Sequence, residues 1–171
     1  LTVTTDTGKL TLNSISITSA GALTLAGATG IDFGSDVIFT TGGDLAMTTT
    51  SGGIMGAGAF TLTAAGDISL TEDFTTVGTT VITADSDGNG VGDFSISTSK
   101  TLSTGNSALT LTANDATLSG SISSGTGQTT ISNSDGGTIG IGGTSGNMTI
   151  DAAELEKITA GTLNIGSSST G

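Results

Sequence analysis

Short triplets of the form apolar, small or polar, apolar recur along most of the chain: LTV, LTL (10–12), ISI, LTL (23–25), IDF, LAM, FTL, ISL, FSI, LTL (109–111), IGI, MTI and LNI. A period of two puts two side chains of each triplet on one side of an extended backbone and one on the other, the pattern of a short half-buried strand. Between the triplets lie Gly, Ser, Asn and Asp, which accept tight turns and positive φ. The spacing narrows the choice of fold further. Inward positions step from Leu23 to Ile31, Ile38 and Leu45, from Phe60 to Ile68, from Phe94 to Leu102 and Leu109, and from Ile131 to Ile139 and Met148. Steps of about seven to nine residues leave about three or four for a strand and about four for a turn. Strands that short are too thin to hold a core as a hairpin meander. Wound three to a coil of about 20 residues, with coils stacked at about 4.8 Å, they enclose a continuous apolar interior. The expected fold is all-β, a parallel β-helix (β-solenoid) of about eight coils and about 40 Å.

Self-similarity supports the winding. The segments AFTLTAAGDISL (59–70), GALTLAGATGIDF (21–33) and ALTLTANDATLSG (108–120) share an ALTL-like strand, a small turn and an apolar pair. No Pro interrupts a ladder by removing a donor, which suits strands paired on both sides. The whole of 1–171 reads as one solenoid segment of a longer repetitive chain. One stretch departs: in AAELEKIT (152–159), Leu155 and Ile158 are three apart, as are Glu154 and Lys157, which predicts a short helical turn. The five Phe residues, 33, 39, 60, 74 and 94, alternate with polar neighbours and are expected to stack inside the coils.

Charge excludes several functions. The net charge is −12 and the only basic side chains are Lys9, Lys100 and Lys157, so no nucleic-acid phosphate backbone could be neutralised. Anionic membrane surfaces are disfavoured for the same reason. No run of about 18 apolar residues could span a bilayer as a helix. Strands this short, without Trp or Tyr for interfacial girdles, do not suit a membrane barrel. A mean hydropathy of +0.25 with regular aliphatics argues against disorder. Catalysis is not expected: without His, Cys or Arg there is little to serve as base, nucleophile or anion clamp.

One stretch carries a chemical pattern. Aligning TLTAAGDISL (61–70) with VITA…VGDFSI (81–96) places Thr63-Ala64 on Thr83-Ala84 and Gly66-Asp67-Ile68 on Gly92-Asp93-Phe94. The second copy then carries six inserted residues, Asp85 to Gly90, at a coil corner. Ca²⁺ takes six to eight oxygens, and loops supply them by alternating carboxylates with turning backbone. Asp85, Asp87 and Asn89 occupy the first, third and fifth positions of such a loop, with Gly90 at the sixth. The Val91 carbonyl and the Asp93 carboxylate follow as seventh and ninth. Ile96 stands where an EF-hand has its bidentate Glu, so the loop is instead similar to the truncated loops of thrombospondin type 3 repeats and dockerins. Asp44, Asp67 and Asp93 each follow Gly and precede an apolar triplet, which turn chemistry alone explains.

ALTLTA, TTVITADSDGNGVGDFSI and MTIDAAELEKITAGTLNIG resemble the filamentous-haemagglutinin-like repeat regions of very large secreted bacterial surface proteins. The resemblance implies a right-handed parallel β-helix and a place in an adhesin, exoprotein or surface fibre, outside the cell. The function expected is a non-catalytic stalk or fibre segment, with Ca²⁺ stiffening the 85–90 corner. Its expected partners are neighbouring repeats or copies of the same chain, with a host-cell or surface glycan as a further one. The alternative is a module binding carbohydrate or ice on a flat face, suggested by outward pairs such as Thr61/Thr63 and Thr110/Thr112. In this reading Thr24 with Ala26, taken as the equivalent strand, interrupts the array.

Overall fold

Most of the apolar triplets form strands that pair in parallel with the strand one coil later. The computed structural model describes residues 1–166. A first sheet stacks β1 (Thr2–Thr5), β4 (Leu23–Gly27), β7 (Leu45–Thr49), β10 (Ile68–Leu70), β13 (Phe94–Ile96) and β16 (Ala116–Leu118). A second stacks β2 (Leu10–Leu12), β5 (Ile31–Phe33), β8 (Ile54–Gly56), β11 (Phe74–Thr76), β14 (Thr101–Ser103), β17 (Ser121–Ser123) and β21 (Ile158–Thr159). The third stacks β3 (Ile15–Ser19), β6 (Val37–Thr41), β9 (Phe60–Ala64), β12 (Thr80–Thr83), β15 (Leu109–Ala113), β18 (Gln128–Asn133) and β22 (Thr162–Ile165). A separate parallel pair, β19 (Ile139–Ile141) with β20 (Met148–Ile150), precedes the helical turn α1 (Ala152–Leu155). Among the described residues no helix is long and apolar enough to cross a membrane.

The solenoid has about six turns, with a repeat of roughly 22 residues; Leu23, for instance, lies under Leu45. The expected coil of about 20 residues agrees with this repeat, whereas the expectation of eight coils was too many. Two physical reasons account for it. Third-sheet strands run to as many as six residues in β18, longer than the triplets visible in the sequence. The chain also leaves the winding after β18 to form β19, β20 and α1, so that Gln128 pairs with Thr162 across 34 residues. Six rungs at about 4.8 Å make a rod of about 30 Å.

The interior is built of stacked rows. Leu23, Leu45, Ile68, Phe94 and Ala116 lie one above another on the first sheet, all buried. Full burial of a Leu, Ile or Phe side chain contributes about 1.5–3 kcal/mol. All five Phe side chains are inside, and Phe33, Phe60 and Phe74 make successive edge-to-face contacts with ring centroids 5.3 and 5.1 Å apart. Gly56 makes room for this row, because a Cβ there would overlap the Phe60 ring. Four expected inward positions are corrected: Leu1, Ile141 and Leu163, in the LTV, IGI and LNI triplets, are exposed, and Ile38 points out and is 49% exposed, while its neighbours Val37 and Phe39 face the core. In VIF three apolar residues run together, so local alternation does not set the parity, and the pairing of Val37 with Phe60 does.

Corners are held by carboxylate ladders. Asp44 Oδ1 accepts the Asp67 N–H, Asp67 Oδ1 accepts the Asp93 N–H, and Asp93 Oδ1 accepts the Asp115 N–H, at 3.0, 2.8 and 3.1 Å. Asp115 Oδ1 accepts from Thr149 N at 2.9 Å, carrying the ladder onto β20. Turn chemistry thus explains Asp44, Asp67 and Asp93, and each side chain also ties its coil to the next.

The two ends differ. At the C-terminal end, Asp151 and Glu154 form a capping box around α1, and Glu154 Oε1 also accepts the Leu118 N–H at 2.9 Å. Lys157 Nζ donates to Leu118 O at 2.8 Å, so two side chains of α1 and the turn after it satisfy an edge residue of the first sheet. The helix ends at Leu155 and Ile158 joins β21, so the helical reading of 152–159 holds for its first half. At the N-terminal rim, β1, β2 and β3 each pair on one side, and Val3, Leu12, Ile15 and Ile17 are half-buried against the core. The other two lysines bridge coils, Lys9 to Asp32 and Lys100 to Glu72 at 2.7 and 2.8 Å.

Candidate functional site

The inserted corner can be located from pairing register. Thr63 pairs with Thr83, an offset of 20, whereas Ile68 pairs with Phe94, an offset of 26, so six extra residues lie between β12 and β13. Asp85 opens them at φ 54°, in the left-handed region that a short polar side chain tolerates. Gly88 and Gly90 follow at φ 65° and 76°, where a Cβ would add strain.

Asp85 is 1% exposed and its carboxylate organises the loop from inside. Oδ1 accepts the Asn89 N–H at 3.0 Å, and Oδ2 accepts the Gly90 N–H at 3.3 Å and the Ser134 hydroxyl at 2.6 Å. Burial pushes this carboxyl's pKa up, but the hydrogen bonds from Ser134 and from the N–H groups of Asn89, Gly90 and Val91 outweigh it and hold the group below its ordinary value. Asp135 lies against the same loop, its oxygens 3.5 and 3.4 Å from where Cβ atoms on Gly88 and Gly90 would stand. Desolvation, the Asp85 charge and hydrogen bond, and the Asp87 charge together raise its pKa.

The other sequence-selected residues are placed differently. Asp87 Oδ2 accepts from Asn89 Nδ2 at 2.9 Å, and Asn89 Oδ1 accepts the Val91 N–H at 2.8 Å, so these side chains close the loop on itself. Val91 is 69% exposed. Asp93 belongs to the corner ladder and also accepts from Asn114 Nδ2 at 3.0 Å. Among the described residues no three carboxylates are grouped to hold one metal ion. In this arrangement the donor set is closed by its own hydrogen bonds and is not a preformed calcium cage. Ser134 and Asp135 were not selected from sequence. The signal for them is the coil register, which runs Thr83 to Thr112 to Ser132 and so brings SNSDGG (132–137) to the same corner.

The outward hydroxyls form a second candidate surface. Thr18, Thr40, Thr63, Thr83, Thr112 and Ser132 stack in one row on the third sheet. A parallel row two residues earlier holds Ser16, Ile38, Thr61, Val81, Thr110 and Thr130. Thr24 and Ala26, expected to interrupt this array, lie on the first sheet; the residues that interrupt its hydroxyls are Ile38 and Val81. On the second sheet an apolar groove lined by Phe33, Met55, Ala57 and Val77 has Asp32 at its edge, whose Oδ1 has no hydrogen-bond partner among the described residues. No family model matches the chain, and no curated protein or solved structure matches it.

Proposed function

We propose that the chain is a non-catalytic structural segment of a bacterial surface or secreted fibre, extended by stacking further coils on its ends. The observation that carries this reading is the N-terminal rim, where three strands have a free edge and Val3, Leu12, Ile15 and Ile17 are only half covered. Free parallel edges with an apolar interior behind them recruit another strand layer. β21 and β22 end the second and third sheets at the other rim, so a copy or a neighbouring repeat continues both sheets head to tail. All three lysines are engaged in contacts between separate segments, consistent with cations that hold coils together. The resemblance to filamentous-haemagglutinin-like repeats supports the extracellular setting. Negative-stain micrographs of the concentrated protein test the reading: thin filaments are expected, and uniformly dispersed short particles would overturn it.

Ca²⁺ at the 85–90 corner is a separate part of the proposal. It rests on the spacing of Asp85, Asp87 and Asn89 and on the local charge, since Asp85 and Asp87 act electrostatically on Asp135 and a cation relieves that repulsion. The hydrogen bonds that now close the loop are what the ion must displace. A calcium titration followed by thermal melting should raise the melting temperature, and Asp87→Ala should abolish the rise. A melt indifferent to both Ca²⁺ and chelator removes calcium and leaves the rod.

A further inference from the structure

We propose that the outward surface of the third sheet is an ice-binding face, a function independent of the stacking of the ends. The first reason is its width. Third-sheet strands of four to six residues present two outward side chains on every rung from β3 to β18, whereas the first sheet narrows from five residues in β4 and β7 to three in β10, β13 and β16. Register then makes a two-dimensional grid, about 4.8 Å between rungs and about 6.8 Å between the two rows. Thr61 and Thr63 stand over Val81 and Thr83 on one side and Ile38 and Thr40 on the other. The short axis is close to the oxygen repeat along the basal axis of hexagonal ice, and the long axis approaches the repeat along the perpendicular axis of its prism face.

The second reason is what the grid is made of. Apart from Ser16 and Ser132 at the two ends, every position of the two rows is Thr, Ile or Val, and β-branching restricts χ1, so methyls and hydroxyls are held at fixed places. Thr112 Oγ1 and Ser132 Oγ bond each other directly at 3.0 Å, so the hydroxyls available to a row of shared waters are those of the rungs before them, Thr40, Thr63 and Thr83.

The third reason is charge. The chain carries a net −12, yet neither row from β3 to β18 contains an ionisable side chain. A charged group orders its own hydration shell and disrupts a lattice of water bonded to water. The acidic residues described above sit at corners and on other faces instead.

The same observations choose ice over the other occupants of a flat face. A sugar ring is usually held by stacking on an exposed aromatic, and here every Phe is buried and there is no Trp or Tyr. A second copy docking side on would find a face of hydroxyls with Ile38 as its one strongly exposed large aliphatic, too little apolar area to drive association.

The test is ice-crystal growth in a nanolitre osmometer with the full chain. Wild type is expected to facet the crystal and to open a gap between melting and freezing that widens with concentration. Thr63→Lys, at the centre of the grid, and Thr40→Lys, on the exposed rung beside it, should each reduce that gap to the buffer level. Thr117→Lys, an exposed outward position on the first sheet, should leave it unchanged. Thermal melting of each variant checks that the coils are intact. Rounded crystals with wild type, or equal loss in Thr117→Lys, overturn the proposal. Retention on crystalline cellulose or chitin without ice shaping overturns it in favour of a polysaccharide.

Discussion

Asp85 and Ser134 stand 49 residues apart in the chain, yet the Ser134 hydroxyl donates to Asp85 Oδ2 at 2.6 Å. The inserted corner therefore runs along the rod axis and fastens the coil it interrupts to the end of β18. Removing the carboxylate leaves the Asn89 and Gly90 N–H groups without their acceptor and a left-handed φ without its polar side chain. Asp85→Ala is expected to destabilise by about 2–3 kcal/mol, read as a shift in the denaturant midpoint. Ser134→Ala removes one bond of the set and should cost about 1–1.5 kcal/mol.

The same corner has a pH signature with two opposite signs. Asp85 titrates below its ordinary value when folded, so its contribution is present above the unfolded carboxylate pKa of about 3.9 and is lost as pH falls through the lower folded value. Asp135 titrates above its ordinary value, so it is neutral together with the unfolded chain in acid and becomes a penalty as pH rises through its folded value. Asp135→Asn should accordingly raise the melting temperature at pH 7, and the gain should vanish by about pH 3. A gain that persists in strong acid would show that Asp135 acts through packing and not through charge.

Glu154 offers a test of how the first sheet is terminated. Glu154→Ala removes both the acceptor for Leu118 N–H and half of the capping box, for an expected loss of about 1–2 kcal/mol. Amide hydrogen exchange should show the effect locally, with faster exchange at Leu118 while the ladder from Leu23 to Leu45 stays protected.

Gly56 is a packing glycine, with no need of a special φ. Gly56→Ala drives a methyl into the Phe60 ring and should destabilise by about 1–3 kcal/mol. The double variant Gly56→Ala with Phe60→Leu should lose less than the sum of the two single changes, because the smaller side chain vacates the space the methyl needs.

What the sequence discloses is periodicity, and what it hides is which of three similar sides a strand belongs to. The likeness of GDISL to GDFSI gives the pairing of Ile68 with Phe94 and the size of the insertion at once. The buried Phe33, Phe74 and Phe94 are equally legible, since each follows an Asp and precedes a small residue, whereas Phe39 sits in the apolar run VIF and takes its parity from register. Thr24-x-Ala26 and Thr61-x-Thr63 look alike locally, yet winding places them on different faces, and only the long-range register separates them. Ser134 and Asp135 reach Asp85 because β15 and β18 intervene as whole rungs, a proximity no local pattern records. Leu155 and Ile158 share a helical spacing, but the free edge of β17 competes for Ile158 and wins it for β21.

The central claim is that the open rim of β1–β3 is covered by another layer of coils, and sedimentation velocity over a concentration series tests it most directly. Wild type should form a ladder of head-to-tail oligomers that grows with concentration. Ile17→Lys, which puts a charge at the half-buried rim over Phe39, should return it to monomer, with an unchanged far-UV spectrum showing that the coils beneath are intact. A wild-type chain that sediments as a single monomeric species at every concentration, indistinguishable from Ile17→Lys, would contradict the account.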